Sequence, residues 1–279
     1  MAIRATDAAA LPARALRTLR LLIAACGLAL LLSAQAQVPQ QVVDIPTRPG
    51  ITQRMVLLSP PQPQPRAAVV LLPGGHGGLQ IFANGSMKWG EGNFLVRTRQ
   101  LFAAQGLAVA VVDAPSDRQV SPFLAGFRQT PQHAADMRAV IAWMRENYRV
   151  PVWLVGTSRG TESAAYLAIA LNGADAPDGI VLSSTILSDD KGRSVLAMPL
   201  DKISIPTLVV HHEQDGCAHC PFSKIPALMD QLQNAADKQL LSFQGGLNTG
   251  DPCAAFAHHG FNGLESDVVR TTADWILAR

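Results

Sequence analysis

Unbroken apolar runs alternate with apolar stripes at helical spacing along most of the chain. Ala67 to Leu72 contains no polar side chain and is closed by Pro73 and a group of glycines. Such a run reads as a strand buried on both faces, because a half-buried strand alternates apolar with polar positions. Ala108 to Val112, Val152 to Val155, Gly179 to Leu182 and Thr207 to Val210 repeat the pattern, and Leu240 to Phe243 is a sixth candidate. Between them Ala134, Met137, Ile141, Met144 and Tyr148 recur at spacings of three and four, which predicts a helix over 131–148. Pro151 ends it, since the residue before a proline is pushed out of the helical region. Val268, Thr272, Trp275 and Ile276 mark a similar face over 264–277. Strands alternating with helices predict a mainly parallel sheet with helices on both faces. Upstream, Val42 to Thr47 and Gln53 to Ser59 read as an antiparallel edge pair around Pro49-Gly50, followed by an extended linker with Pro60, Pro61, Pro63 and Pro65. With no internal repeat and no domain linker, residues 37–279 are expected to form a single α/β domain.

The first 36 residues stand outside this alternation. Arg14, Arg17 and Arg20 precede an apolar run from Leu21 to Leu32 that is short for a membrane span, and Ala34-Gln35-Ala36 has the small-x-small form of a cleavage site. They are read as a secretory signal, which makes the expected location periplasmic or secreted. Ile23-Ala24-Ala25-Cys26 resembles a lipobox, but apolar chain continues after Cys26. Removing residues 1–36 takes away four of the 23 Lys and Arg and one of the 21 Asp and Glu, turning a formal charge of +2 into −1. The remaining balance points neither to nucleic acid nor to an acidic membrane surface as partner. Cys217, Cys220 and Cys253 are left, an odd number in a compartment that favours disulfides, so one pair and one free thiol are expected.

The chemistry concentrates at Gly156-Thr157-Ser158-Arg159-Gly160. A nucleophile at the tip of a sharp strand-to-helix turn leaves no room for side chains beside it, and the run lies between a predicted strand and an alanine-rich helix over 161–171. A serine hydroxyl needs a base within hydrogen-bond reach and a carboxylate to orient that base. Asp215, just beyond the strand ending at Val210, is the preferred acid, with Glu213 and Asp251 as rivals. His259 is the preferred base, because the following Gly260 suggests a flexible, exposed loop; His258 is its rival, and His133 reads as a surface residue of a helix. Charge developing on a carbonyl oxygen needs backbone N–H donors. One is expected from Arg159, the other from Gly75 or His76 in the loop Gly74-Gly75-His76-Gly77-Gly78, which lacks the Gly-Lys-Ser/Thr of a phosphate loop.

Together these residues resemble the α/β-hydrolase superfamily, and within it small exported bacterial members. The resemblance runs from about Ala67 to the C-terminus and includes Asn93-Phe94-Leu95-Val96-Arg97, Val112-Asp113-Ala114-Pro115-Ser116-Asp117, His211-His212 before Asp215, and His259-Gly260-Phe261 with Glu265. It implies an α/β-hydrolase fold, a Ser158, Asp215, His259 triad, and hydrolysis of a small-molecule or polymer ester through an acyl-enzyme. Amide or peptide hydrolysis is the alternative within enzymes, and an inactive binding scaffold the alternative outside them. No cofactor is expected. A bond between Cys217 and Cys253 would tether the acid loop to the histidine loop; Cys217–Cys220 and Cys220–Cys253 are the other pairings. His211, His212, Cys217, His219 and Cys220 crowd one stretch, but Cys217-x-x-Cys220 lacks a second well-spaced pair, so no metal is assigned. The segment between Leu182 and Thr207 is too short for a large helical lid, and Pro122, Phe123, Phe127 and Pro131 are candidates for a pocket wall.

Overall fold

The computed structural model of the chain describes residues 37–60 and 64–279. The secretory-signal reading of residues 1–36, and the Pro61 and Pro63 part of the extended linker, lie outside the described residues. The strands are β1 (Gln40–Arg48), β2 (Ile51–Leu58), β3 (Ala67–Leu72), β4 (Leu107–Val112), β5 (Val152–Thr157), β6 (Gly179–Ser183), β7 (Thr207–His212) and β8 (Lys238–Phe243). They form one eight-stranded sheet in the order β1-β2-β4-β3-β5-β6-β7-β8. β1 pairs antiparallel with β2, placing Val43 opposite Met55, and β2 pairs antiparallel with β4. Every later pairing is parallel.

The unbroken apolar runs follow from burial on both faces. In β3, Ala68, Val70 and Leu72 enter one apolar cluster, whereas Ala67, Val69 and Leu71 enter the other. Helices α3 (Pro131–Tyr148), α4 (Gly160–Ala170) and α5 (Ile225–Gln231) feed the first cluster; α1 (Phe94–Arg97), α2 (Arg99–Ala104) and α6 (Glu265–Leu277) feed the second. α3 begins where Thr130 accepts a hydrogen bond from the His133 N–H at 3.2 Å, with Pro131 at the first helical position. It ends at Arg149, which turns left-handed (φ 54°) just before Pro151. Met137, Ile141 and Met144 are buried as their spacing predicts, and Tyr148 packs at the margin.

His133 departs from its expected surface position: it is 2% exposed, with its ring edge-on to Phe127 at 5.7 Å. The apolar stripe of α3 is wider than the residues that define its period, and Phe127 folds back over the first turn. Both ring nitrogens lack a partner among the described residues. Burial, together with the charges of Arg128 and Arg48, pushes the His133 pKa down to about 3, so the ring is neutral.

Parallel strands leave their carboxyl ends on one edge of the sheet, where loops can gather around a crevice. Pro73 follows β3, Asp113 follows β4, Ser158 follows β5 and Asp215 lies three residues beyond β7.

Candidate active site

Ser158 occupies the turn between β5 and α4 with a φ of 51°, a left-handed conformation that a non-glycine residue adopts at a cost of about 1–3 kcal/mol. The turn is pinned from three sides. The Ser158 N–H donates to Ser183 O at 2.9 Å, and the N–H and hydroxyl of Thr161 donate to Ser158 O at 2.9 and 2.6 Å. The flanking glycines are dictated by backbone crowding: a methyl group at Gly156 would stand 2.5 Å from Gly160 O, and one at Gly160 would overlap Leu72 O. This is the mechanical reason for the pair that the sequence suggested.

His259 lies in a single 3-10 turn, His258–Gly260, and its Nδ1 is 2.9 Å from Asp215 Oδ2. Asp215 Oδ1 accepts the Cys217 N–H at 2.9 Å, and the Ser184 hydroxyl donates to His259 O at 2.7 Å, so both residues are held by further partners. The rivals have other partners. Glu213 accepts from the Ser242 hydroxyl and the Gln244 amide, Asp251 accepts the Cys253 N–H in a turn, and His258 stacks on His212 with centroids 4.3 Å apart. His259 is buried, not exposed, and Gly260 is required by crowding. A side chain at Gly260 would collide with the Ala255 backbone, so the glycine allows the histidine loop to cross itself.

Ser158 and His259 line one pocket of about 350 Å³ with Gly74 to Leu79, Gly90, Gly92, Asn93, Phe94, Cys253 and Ala255. No hydrogen bond joins the Ser158 hydroxyl to the His259 ring among the described residues; such bonds commonly tighten only around substrate. The expected wall residues Pro122, Phe123, Phe127 and Pro131 do not line it. Phe123 instead stacks on the His76 ring, with centroids 4.4 Å apart, and lies close enough to Gly78 to crowd out a side chain there. Leu79, Gly90, Gly92, Asn93, Phe94, Cys253 and Ala255 line the pocket instead. Between Leu182 and Thr207 there are only two 3-10 turns, Val195–Ala197 and Leu200–Lys202, among the described residues.

Cys217 and Cys253 are bonded, with Cα atoms 4.5 Å apart, and Cys220 is free and buried. Cys220, Cys217 and His259 each bring a ligand-type atom within 4.8 Å of the others, but the Cys217 sulfur is committed to the disulfide and His259 Nδ1 to Asp215. Burial pushes the Cys220 thiol well above its ordinary range. His211, His212 and His219 contact the carbonyls of His212, Gly245 and Ser188 instead of converging.

Three charged residues that sequence reasoning left without a role support the site. Asp113 accepts the N–H groups of Leu79, Gln80, Ile81 and Ala114 at 2.7 to 3.1 Å. Asp189 accepts from the Arg159 guanidinium at 2.5 Å. Burial works to raise the Asp189 pKa, but the Lys191 N–H and Arg159 outweigh it and hold it at about 2. Arg128 is 2% exposed and donates to Pro73 O, Gly75 O and the Ser163 hydroxyl, with no carboxylate in contact among the described residues. Asp113 stood in a motif and Arg128 did not; neither burial was visible in the composition of its neighbourhood.

Comparison with known proteins places this geometry in context. No family model matches the chain, and no curated relative matches it. Among solved structures it is similar to an esterase of Pyrococcus furiosus, with a TM-score of 0.61 at 12% identity, covering 86% of this chain and 92% of that one. A cold-adapted esterase from an Arctic intertidal metagenomic library is similar with a TM-score of 0.58 at 16% identity, covering 88% and 96%. A dienelactone hydrolase-like promiscuous phosphotriesterase from metagenomic libraries is similar with a TM-score of 0.57 at 18% identity, covering 87% and 98%. With its mostly parallel eight-stranded sheet and helices on both faces, the chain has the α/β-hydrolase fold.

Proposed function

We propose that the chain is a serine hydrolase that cleaves carboxylic esters through an acyl-enzyme. The observation that carries this reading is the conjunction of a strained Ser158 and an Asp215-backed His259 on one pocket. Asp215 holds the Nδ1 side of the imidazole, which leaves Nε2 to take the Ser158 proton as the hydroxyl attacks the ester carbonyl. The carboxylate then stabilises the imidazolium, and the same ring returns the proton to the departing alcohol. Water, deprotonated by His259, releases the acid and restores Ser158. The N–H of Arg159 and one N–H of the glycine loop receive the oxyanion. Among the described residues the Gly75, His76 and Arg159 N–H groups have no protein acceptor, which suits that role.

Esterases and a dienelactone hydrolase among the structural neighbours support an ester as substrate, beside a dipeptidyl peptidase that keeps an amide substrate as the second reading. The mature chain is read as 37–279, exported by residues 1–36 into an oxidising compartment. The Cys217–Cys253 bond supports that location, and among the described residues no helix is long and apolar enough to cross a membrane.

The test is Ser158→Ala assayed with p-nitrophenyl acetate and with a fluorophosphonate probe. Hydrolysis and labelling are both expected to vanish while circular dichroism is unchanged. A folded Ser158→Ala protein with normal turnover overturns the reading.

A further inference from the structure

Arg128 presents a physical puzzle that the triad does not absorb. A guanidinium out of water is costly unless its donors are met and a counter-charge is near. The acidic group whose charge acts on it is Glu162, which is already engaged by Arg159 at 2.7 Å. The donors of Arg128 go to neutral oxygens: Nη1 to Ser163 Oγ at 3.0 Å, and Nη2 to Pro73 O at 3.0 Å and Gly75 O at 3.4 Å. Burial lowers its pKa to about 10, so it keeps its charge at neutral pH. The glycine loop wraps closely around it, since a methyl group at Gly77 would stand 2.5 Å from Nη2.

In a trans peptide unit the C=O and N–H point in opposite directions. Arg128 grips the carbonyl of Gly75 from inside the protein, so the N–H of the same unit, that of His76, points away from Arg128. The next carbonyl, His76 O, is held by the Leu124 N–H at 3.0 Å. Gly75 and His76 are the exposed tip of a loop otherwise largely buried, and both line the pocket with Ser158. A cationic donor on a carbonyl also polarises its peptide unit and strengthens the N–H at the other end.

We infer that Arg128 is a positioning residue for the oxyanion site, and that it selects the His76 N–H, rather than that of Gly75, as the glycine-loop donor. The inference rests on the serine-hydrolase reading and deepens it. Arg128 touches no substrate; it orients and polarises the group that does. Interactions that act on the developing oxyanion affect kcat, whereas a distorted binding pocket raises KM.

Two measurements test this. In Arg128→Met, kcat for p-nitrophenyl acetate is expected to fall about 100-fold with KM nearly unchanged, the size of effect seen when one oxyanion donor is lost. Arg128→Lys, which keeps the charge and one donor direction, is expected to recover part of that loss. A folded Arg128→Met enzyme with full kcat, or one altered in KM alone, overturns the inference. The second measurement uses wild-type protein and does not depend on a variant folding. The backbone amides of ¹⁵N-histidine and ¹⁵N-glycine protein are followed by NMR before and after a fluorophosphonate reacts with Ser158. The His76 amide proton is expected to move downfield while that of Gly75 stays. Movement of Gly75 without His76 defeats the inference and leaves the hydrolase reading intact. Failure of Ser158 to be phosphonylated removes both.

Discussion

Two irregular segments flank Ser158, and they are held by different physics. The glycine loop from Pro73 to Ile81 is buried except around its tip, and buried side chains support it: Asp113 on its later N–H groups and Arg128 on its earlier carbonyls. The histidine loop is solvent-exposed from Gln244 to Cys253 and is tied down by the Cys217–Cys253 bond and the Asp215–His259 contact. The difference follows from water. Inside, a hydrogen bond meets little competition and an unmet backbone group is costly, so charged side chains make effective struts. At the surface the same bonds compete with solvent, and a covalent link restricts the chain regardless of solvation. The glycine-loop side of the pocket is thus held by buried polar groups, and the exposed stretch on the histidine side by a tether.

The contrast can be broken or sharpened by removing one support at a time. The largest effect is expected from Asp113→Ala. It leaves three buried N–H groups and the half-buried one of Gln80 without their acceptor. At about 1–3 kcal/mol for each unmet group, the loss is on the order of 5 kcal/mol. A urea midpoint shift worth less than about 1 kcal/mol would show that the loop does not depend on its polar strut. Next comes the Cys217→Ser, Cys253→Ser pair. The bond spans 36 residues, and chain entropy predicts a loss of about 4 kcal/mol on that loop length. Urea unfolding with and without reductant checks it, and a reductant-insensitive wild type would refute the tether. The smallest effect, taken over any one pH unit, is a pH dependence on the polar-strutted side. His133 is neutral in the fold, with a pKa of about 3, while the unfolded chain protonates it below about 6.5. The unfolded state therefore binds more protons between those values. Stability is full above pH 6.5 and falls on acidification by up to about 1.4 kcal/mol per pH unit. His133→Gln is expected to flatten that slope; an unchanged slope assigns the acid sensitivity to other groups.

Much of the architecture was legible along the chain. Strand runs from Ala67, Ala108, Val152, Gly179 and Thr207 fall on β3 to β7, because burial on both faces leaves a continuous apolar signature that needs no partner to be recognised. The helix over 131–148 and the glycines around Ser158 were legible for the same kind of reason, since each encodes a local geometric demand. The candidate acid, the candidate base and the disulfide pair were named along the chain, but only contacts separate them from their rivals. Glu213 and Asp215 are two residues apart, and only the turn after β7 decides which of them meets His259. His133 was misplaced because a polar side chain on a helix reads as solvated when its covering residue, Phe127, comes from outside the helix. The pocket wall was misplaced likewise: Phe123 packs against His76 and Gly78 of the glycine loop and does not line the pocket.

By itself, the sequence determined the features that are local in cause: the alternation of strands and helices, the sharp turn at Ser158, and a glycine-rich segment able to approach a substrate. Tertiary structure alone decided which ring, carboxylate and sulfur atoms meet, and that Asp113 and Arg128 turn inward to brace a loop instead of facing water. The physical reason is range. A backbone conformation is set by a few neighbouring side chains, whereas the worth of a charge depends on every group that excludes water from it, and those groups come from distant parts of the chain.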